Sequence, residues 1–170
     1  MKTYASFFEW HHKGQKELGV VEELLAALNQ CSSRQLESLR EFTPDPPDCV
    51  CETTSGDLVA VEVAEVVCQR STELNATATA VYRVWRRGEL TAHISSVLAR
   101  KDTKRFNGGP YKAVIASLFT DEPALSEADA RTELQDATFG PYNQLTEGYL
   151  VFSYQPSTKS YPFVRLQFAT

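Results

Sequence analysis

The fold of this chain is decided by two neighbouring runs, PDCVCET at residues 47–53 and LVAVEVAE at residues 58–65. Both runs contain residues that favour β-strands, and the turn-forming sequence Ser55-Gly56-Asp57 stands between them. Two strand-like runs joined by so short a turn predict a β-hairpin. We therefore predict antiparallel strands over residues 48–53 and 58–67.

The second strand carries a carboxylate inside an apolar run. Side chains along a strand alternate between its two faces. One face is formed by Val59, Val61 and Val63. Glu62 lies on the opposite face, between two alanines. Burying a lone carboxylate among small apolar residues is costly, so the pattern predicts that Glu62 faces a cation, either a basic side chain or a metal ion.

Asp48 supplies a second carboxylate at the start of the neighbouring strand, on the other arm of the same hairpin. Two carboxylates placed side by side repel each other unless a cation lies between them. A hard divalent cation such as Mg²⁺ takes one or two carboxylates, a carbonyl oxygen and several waters. The hairpin is therefore a candidate site for such an ion.

Three helices are predicted around this hairpin. Apolar residues recur with helical spacing over residues 13–30. A mostly helical pattern runs over residues 81–106, with a break at Gly88 and a stop at residues 107–110. A third helix is predicted over residues 126–135, with Ser126 as its cap.

Further strands alternate with these helices. They are predicted over residues 36–42, 112–119, 148–154 and 162–168. The strand over residues 112–119 holds the continuous apolar run Ala113-Val114-Ile115-Ala116, which indicates a strand covered on both faces. The order of elements predicts an α/β fold, with a single mixed β-sheet flanked by helices.

Length and composition fit one domain covering residues 1–170, because 42% of the residues are hydrophobic and 23% are charged. The net charge of −5 excludes a molecule that is basic throughout, so nucleic-acid binding would require a local basic patch.

No run approaches the roughly 18 apolar residues of a membrane span, and the N-terminal sequence lacks the pattern of a signal peptide. We therefore expect a cytoplasmic protein without membrane association, with reduced cysteines. Cys49 and Cys51 lack the spacing of a zinc site, and we interpret them as buried hydrophobic residues.

Basic residues are concentrated in one part of the chain. Residues 83–105 hold seven of them against two acids, a local charge of +5 in a chain of −5. They are Arg83, Arg86, Arg87, Arg100, Lys101, Lys104 and Arg105, and Trp85 stands among them. Basic residues position phosphates, and a tryptophan can stack on an unpaired base. The segment is a candidate nucleic-acid interface, although a solvated helix face with Trp85 in the core fits the pattern equally well.

Pro47-Asp48, followed by Glu62 at the centre of an apolar strand, resembles the signature of the PD-(D/E)XK nuclease superfamily. The predicted elements over residues 18–168 are similar in order to its restriction-endonuclease-like αβββαβ core, with extra C-terminal strands. The run AVEVAE at residues 60–65 is also similar to a Glu-Val-Thr-Glu stretch of small bacterial members.

This resemblance implies an activity and a site. The activity is that of a metal-dependent nuclease that hydrolyses phosphodiester bonds, with nucleic acid, DNA more than RNA, as its partner. Asp48, Glu62 and the backbone carbonyl of Val63 would bind the Mg²⁺ or Mn²⁺ ion that the reaction uses.

The chain departs from the signature at position 64, where Ala64 stands in place of the superfamily's lysine. That lysine orients the attacking water and stabilises developing charge, so its loss bears on catalysis more than on the fold. Glu65 could act instead as a general base, although strand alternation places it on the face opposite Glu62. A carboxylate can also act on a metal-activated water without a lysine.

Lys101 is the third candidate replacement. It follows Leu98 by three positions and Val97 by four, so it continues the apolar face of its predicted helix. A lysine on that face either extends its ammonium outward to solvent or meets a buried acid. We therefore place Lys101 with Asp48 and Glu62 among the predicted catalytic residues.

Three classes of function are compatible with the sequence. The first is a metal-dependent nuclease. The second, favoured by Ala64, is a nuclease-fold protein that has lost catalysis and binds nucleic acid or a protein partner. The third, favoured by the net negative charge, is an interaction protein with no nucleic-acid role. A homodimer would suit cleavage of both strands of a duplex, but the sequence indicates no interface.

Overall fold

The computed structural model describes residues 13–32, 35–68 and 84–169. In chain order the elements are α1 (Lys13–Cys31), β1 (Leu36–Glu41), β2 (Cys49–Thr53), β3 (Leu58–Glu65), α2 (Glu89–Asp102), β4 (Ala113–Thr120), α3 (Glu127–Leu134), β5 (Thr138–Phe139), β6 (Glu147–Phe152) and β7 (Phe163–Phe168). The predicted α/β class, with a mixed sheet and flanking helices, is confirmed.

The strands form a seven-stranded mixed sheet in the order β1-β2-β3-β4-β6-β7-β5. β2 and β3 pair antiparallel as the predicted hairpin, with Cys49 opposite Val61. β3, β4 and β6 run parallel to one another, and β7 returns antiparallel to β6. Parallel neighbours need a long crossover connection, and α2 lies in the connection from β3 to β4.

The helices cover the two faces of this sheet. Alternation along β3 turns its three valines toward α1, where they pack in one core with Val21 and Leu24. Ala60 turns the other way and packs in a second core with Ile94 and Leu98 of α2. All eight residues of β4 are buried, as expected for a central strand covered on both faces. Glu62 points into the side of the sheet that α2 covers.

The start of α2 corrects the prediction of a helix over residues 81–106. Residues 84–88 are not helical, and residues 81–83 lie outside the part of the chain that the structure describes. Gly88 precedes the helix with a φ of 78°, a left-handed conformation that glycine adopts without the steric cost of a side chain. Glu89 then fills the first turn, where a negative charge favours the helix dipole.

The end of α2 also comes earlier than predicted, at Asp102 rather than at residues 107–110. The hydroxyl of Thr103 donates to the carbonyl oxygen of Arg100 at 2.8 Å, which satisfies one of the last carbonyls of the helix. The helix therefore stops before the glycine-rich sequence, and residues 103–112 form a loop that leads to β4.

Smaller features were predicted with mixed success. The hydroxyl oxygen of Ser126 accepts the N–H of Asp129 at 3.1 Å, so the predicted cap of α3 is confirmed. β5 was not predicted, because a two-residue strand leaves no periodic signal.

Cys49 and Cys51 are buried, as expected, and burial and the nearby Asp48 raise the pKa of the Cys49 thiol to about 12. In the described residues no helix is long and apolar enough to cross a membrane.

Candidate metal centre

Glu62 is completely buried, with 0% of its surface exposed. It occupies the middle of β3 on the α2 face, where its neighbours along that face are the small residues Ala60 and Ala64. Its Oε2 atom forms ion pairs with two lysine ammonium groups. Its Oε1 atom has no hydrogen-bond partner within the described parts of the chain. The side chain therefore has one neutralised oxygen and one oxygen that can still accept a ligand.

Asp48 lies directly before β2 and is 6% exposed. Because Cys49 pairs with Val61, continuing the antiparallel register places Asp48 opposite Glu62, with both side chains on the same face. The Oδ2 atom of Asp48 accepts the backbone N–H of Val63 at 2.7 Å. The carboxylate thus bonds to β3 just beyond the last pair of the β2–β3 ladder, which fixes its position relative to Glu62.

Lys101 reaches this pair from the last turn of α2. Its Nζ atom lies 2.8 Å from Oε2 of Glu62 and 3.3 Å from Oδ2 of Asp48. The side chain is 11% exposed, and the residue shares the buried face of α2 with Val97 and Leu98. Of the two alternatives that the sequence left open, the structure shows a lysine that meets buried acids.

Lys104, which belongs to the predicted basic segment, contacts the same acid. Its Nζ atom lies 2.8 Å from Oε2 of Glu62 and 3.6 Å from Oδ1 of Asp45. Partial burial lowers the pKa of Lys104, but the hydrogen bond and the negative charge of Glu62 outweigh this effect. The net pKa of Lys104 therefore lies above its ordinary value, and the ammonium stays charged at neutral pH.

Asp45 completes a group of three carboxylates with Asp48 and Glu62. One oxygen from each lies within 4.8 Å of the others, a spacing that can hold a metal ion. Carboxylate oxygens are the ligands that Mg²⁺ and Mn²⁺ prefer, and the Oε1 atom of Glu62 has no hydrogen-bond partner among the described residues. The acids present therefore fit a metal ion, and Asp48 and Glu62 are two of the three.

Asp102 holds the end of α2, and with it Lys101, against the sheet. Its carboxylate accepts the backbone N–H groups of Asn143 at 2.9 Å, Gln144 at 2.8 Å and Leu145 at 3.0 Å. Desolvation raises the pKa of Asp102, but these three hydrogen bonds outweigh it, so the net pKa lies below the ordinary value. The helix end is thereby tied to the loop that precedes β6.

Glu65 lies on the opposite side of the sheet from this acid cluster. Its Oε2 atom is 3.2 Å from Nζ of Lys16 on α1. The same ammonium lies 4.7 Å from the centre of the Phe119 ring. The alternative in which Glu65 serves as general base for the site is therefore wrong, because β3 continues its regular alternation through residue 65.

The structure does not gather the predicted basic segment into one patch. Arg100 and Arg105 are exposed, one in the last turn of α2 and the other three residues beyond its end. Arg86 and Arg87 are also exposed but precede the helix, whose 14 residues span about 21 Å. Arg83 lies outside the described residues. The reason for the separation is that α2 runs between the two groups.

Trp85 directly precedes Arg86 and is partly buried. It packs against the core under α2, and its ring meets that of His93 edge to face at 5.7 Å. This placement agrees with the interpretation of Trp85 as part of the core more than with a ring displayed for base stacking.

Sequence reasoning missed the contributions of Asp45 and Asp102, and it assigned Lys104 to nucleic-acid binding. Asp45 stands three positions before Asp48, in a proline-rich loop that gives no periodic signal. Lys104 follows Lys101 by three positions but lies beyond the helix end, so helical spacing does not place it. The role of Asp102 could have been predicted from its position, because a carboxylate is unfavourable at the C-terminal end of a helix unless other groups donate hydrogen bonds to it.

Comparison with known proteins leaves the family open. No protein-family model and no curated protein matches the chain. A solved structure of SfsA from Pyrococcus furiosus, in complex with Ca²⁺, is similar at 13% sequence identity and a TM-score of 0.36. The match covers 92% of this chain, which spans 64% of the length of that one. So weak a likeness assigns neither family nor activity, and the protein is defined by its own mixed α/β sheet and its acid–lysine cluster.

Proposed function

We propose that this protein is a metal-dependent nuclease of the PD-(D/E)XK type that hydrolyses phosphodiester bonds. The observation that carries the proposal is the buried contact of Lys101 with both Glu62 and Asp48, at 2.8 and 3.3 Å. Two hairpin acids and a lysine are the residue types that the superfamily signature requires. Here the lysine comes from α2 instead of position 64.

Asp48, Glu62 and Asp45 are the residues that would hold the cation. Val63 would add its carbonyl oxygen, because the N–H and C=O of a strand residue project toward the same edge and its N–H already meets Asp48. A divalent cation in this position would acidify a water and neutralise charge on the phosphate. Lys101 would stabilise the negative charge that develops on the phosphate oxygens in the transition state.

Nucleic acid would approach from the end of α2. Arg100 and Arg105 are exposed there, close in sequence to both lysines of the cluster. Their guanidinium groups can bind backbone phosphates and so position the substrate over the acids. Because the whole chain carries a charge of −5, this local group is expected to provide the contact.

A cleavage assay tests the proposal. Single- and double-stranded DNA and RNA are incubated with the protein in Mg²⁺, in Mn²⁺ and in chelator, and we expect cleavage only with metal. Calorimetry with Mn²⁺ is run in parallel on the wild type, on Glu62→Gln and on Glu37→Gln, an exposed glutamate of β1 that serves as the control. Weakened binding in Glu62→Gln alone supports the site, whereas absence of both cleavage and Mn²⁺ binding refutes the proposal.

The second candidate function is a nuclease-fold protein that binds nucleic acid or a protein partner without cutting. The observation that favours it is that two ammonium groups of the chain itself contact Oε2 of Glu62 and can neutralise it. In this case nucleic acid would bind with equal affinity in chelator and in Mg²⁺, and no product would form. The same assay therefore separates the two functions.

A further inference from the structure

Two lysines share one oxygen in the acid cluster. The Nζ atoms of Lys101 and Lys104 each lie 2.8 Å from Oε2 of Glu62. Their surroundings differ, since the side chain of Lys101 is 11% exposed and that of Lys104 is 31% exposed. Lys101 belongs to the buried face of α2, whereas Lys104 stands in the loop beyond the helix. Lys104 is therefore the one that can leave the cluster without unpacking a core.

Lys104 also occupies a particular place among the acids. It contacts Glu62 and Asp45, two of the three carboxylates that together could bind a cation. Its ammonium is thus held by the same groups that a divalent ion would need. With the carboxylates ionised, three acids and two ammonium groups leave one unit of negative charge. Exchanging the ammonium of Lys104 for a divalent ion brings that charge to zero.

We propose that Lys104 is the resident cation of the metal-free site, and that a divalent ion displaces it and frees its ammonium to bind a phosphate of the nucleic acid. This inference rests on the proposed function and adds a regulatory step to it. The freed side chain would join Arg100 and Arg105, which are exposed on the same end of α2. Substrate binding would then depend on metal occupancy of the site.

This exchange couples two binding events. If metal binding releases Lys104 toward the phosphates, then nucleic acid must strengthen metal binding by the same factor, because linkage is reciprocal. A protein with an empty site would hold one phosphate contact fewer than the metal-bound protein. Without metal, the ammonium of Lys104 would reduce the repulsion among the three carboxylates. With metal bound, the released ammonium would add a positive charge to those of Arg100 and Arg105.

The test compares Mn²⁺ affinity by calorimetry in the wild type, Lys104→Met and Lys112→Met. Lys112 is exposed and precedes β4, so its removal makes the same change in net charge away from the cluster. We expect Lys104→Met to bind Mn²⁺ about tenfold more tightly, the effect of removing a competing charged hydrogen bond. Lys112→Met should stay within about twofold of the wild type, because exposed charges are screened by salt.

A second measurement needs no variant. Amine labelling of the wild-type protein, followed by mass spectrometry, is compared with and without Mg²⁺, with exposed Lys159 as the internal reference. Mg²⁺ is expected to increase the labelling of Lys104 severalfold relative to Lys159 and to leave that of Lys101 low. This readout reports the release of the ammonium directly and does not depend on catalysis.

The outcomes distinguish this inference from the proposed function. If Mn²⁺ binds none of the proteins, the metal site itself is refuted and the exchange with it. If Mn²⁺ binds the wild type and Lys104→Met equally, or if Mg²⁺ leaves the labelling of Lys104 unchanged, the metal site stands and the exchange is overturned. Tighter binding in Lys104→Met together with Mg²⁺-dependent labelling supports both.

Discussion

The Nζ atom of Lys101 lies 2.8 Å from Oε2 of Glu62, although the two residues are 39 positions apart in the chain. The contact forms because α2 crosses the sheet between β3 and β4 and directs its last turn at the hairpin. Ala64, where the signature has its lysine, is a small neighbour on the same face, which leaves space for a long side chain from the helix. The ammonium that contacts both acids therefore comes from α2 and not from β3.

Replacement of Lys101 is the most direct test of this arrangement. Lys101→Ala is expected to lower the rate of metal-dependent cleavage at least about a hundredfold, because the developing charge on the phosphate loses a fixed cation. Lys101→Arg should rescue poorly, since a planar guanidinium does not replace a compact ammonium. Initial cleavage rates with saturating Mg²⁺ measure the effect. Wild-type rates in Lys101→Ala would exclude a catalytic role.

The same variant carries a cost in stability that must be measured alongside the rates. Removing one partner of a buried ion pair is expected to lower the free energy of unfolding by about 3 kcal/mol. Urea denaturation of Lys101→Ala gives this value, and cleavage rates are then compared at a temperature where both proteins are folded. An unchanged midpoint would indicate that Lys104 alone neutralises Glu62.

The division of the basic residues into two groups predicts unequal effects on nucleic-acid binding. Arg100→Ala combined with Arg105→Ala should reduce the dependence of log affinity on log salt by about 1 to 2, because each lost phosphate contact contributes about 0.9. Arg86→Ala combined with Arg87→Ala removes the same charge about 21 Å away, at the other end of α2, and should leave the slope nearly unchanged. Fluorescence anisotropy of a labelled duplex in chelator measures both slopes. Equal slopes for the two double variants would contradict the assignment.

Asp102 is expected to contribute to stability through its ionised form. Its folded pKa lies below the ordinary value, so the contribution is present above the unfolded pKa of about 3.9 and is lost as the pH falls through the folded pKa. Asp102→Asn should lower the free energy of unfolding by about 2 kcal/mol at pH 7, because an amide accepts the three N–H groups less well. The difference from the wild type should shrink below about pH 4. Exposed Asp136→Asn is the control for urea titrations at both pH values.

The pH dependence of stability that Glu122 contributes is expected to be opposite to that of Asp102. Desolvation raises the pKa of this buried carboxyl, against a hydrogen bond from the N–H of Cys68, and the charge of Glu65 raises it further. The neutral form is therefore favoured in the folded protein, and its stabilising effect is present below the unfolded pKa of about 4.3 and is lost as the pH rises through the folded pKa.

Glu122→Gln removes the buried charge while keeping an oxygen that can accept the Cys68 N–H. It should raise the free energy of unfolding at pH 7 by about 1 kcal/mol, and the gain should disappear below about pH 4. Thermal unfolding at the two pH values checks this, with exposed Glu37→Gln as the control. A lower midpoint for Glu122→Gln at pH 7 would show that the carboxylate is stabilised by its surroundings.

The sequence was informative where the signal is local. Alternation along β3 placed Glu62 and the valines on opposite faces, and the turn at residues 54–57 fixed the hairpin. Helical spacing after Leu98 placed Lys101 on the buried face of α2. These patterns depend on strand and helix periods, which neighbouring residues set among themselves.

The parts that could not be predicted depend on contacts between distant segments. The break predicted at Gly88 is where α2 begins, but the helix-compatible side chains of residues 84–87 gave no sign that this stretch is not helical. Asp45 and Lys104 meet Glu62 through loops, whose path no periodicity describes. The charge of residues 83–105 suggested one surface because sequence distance does not show that a helix separates its ends.

In the register of the hairpin, Cys49 pairs with Val61. The turn at the far end of the hairpin sets this register, so the geometry of the acid cluster depends on that turn. Glu62 stands four residues from the start of β3, about 13 Å along the strand, and the loop at residues 54–57 sets how β2 aligns with it. A slip of one residue would carry the Asp48 side chain to the α1 face and leave Glu62 without its neighbour. The length of that loop is therefore under the same constraint as the acids themselves, and an insertion there would dismantle the centre without touching any of its residues.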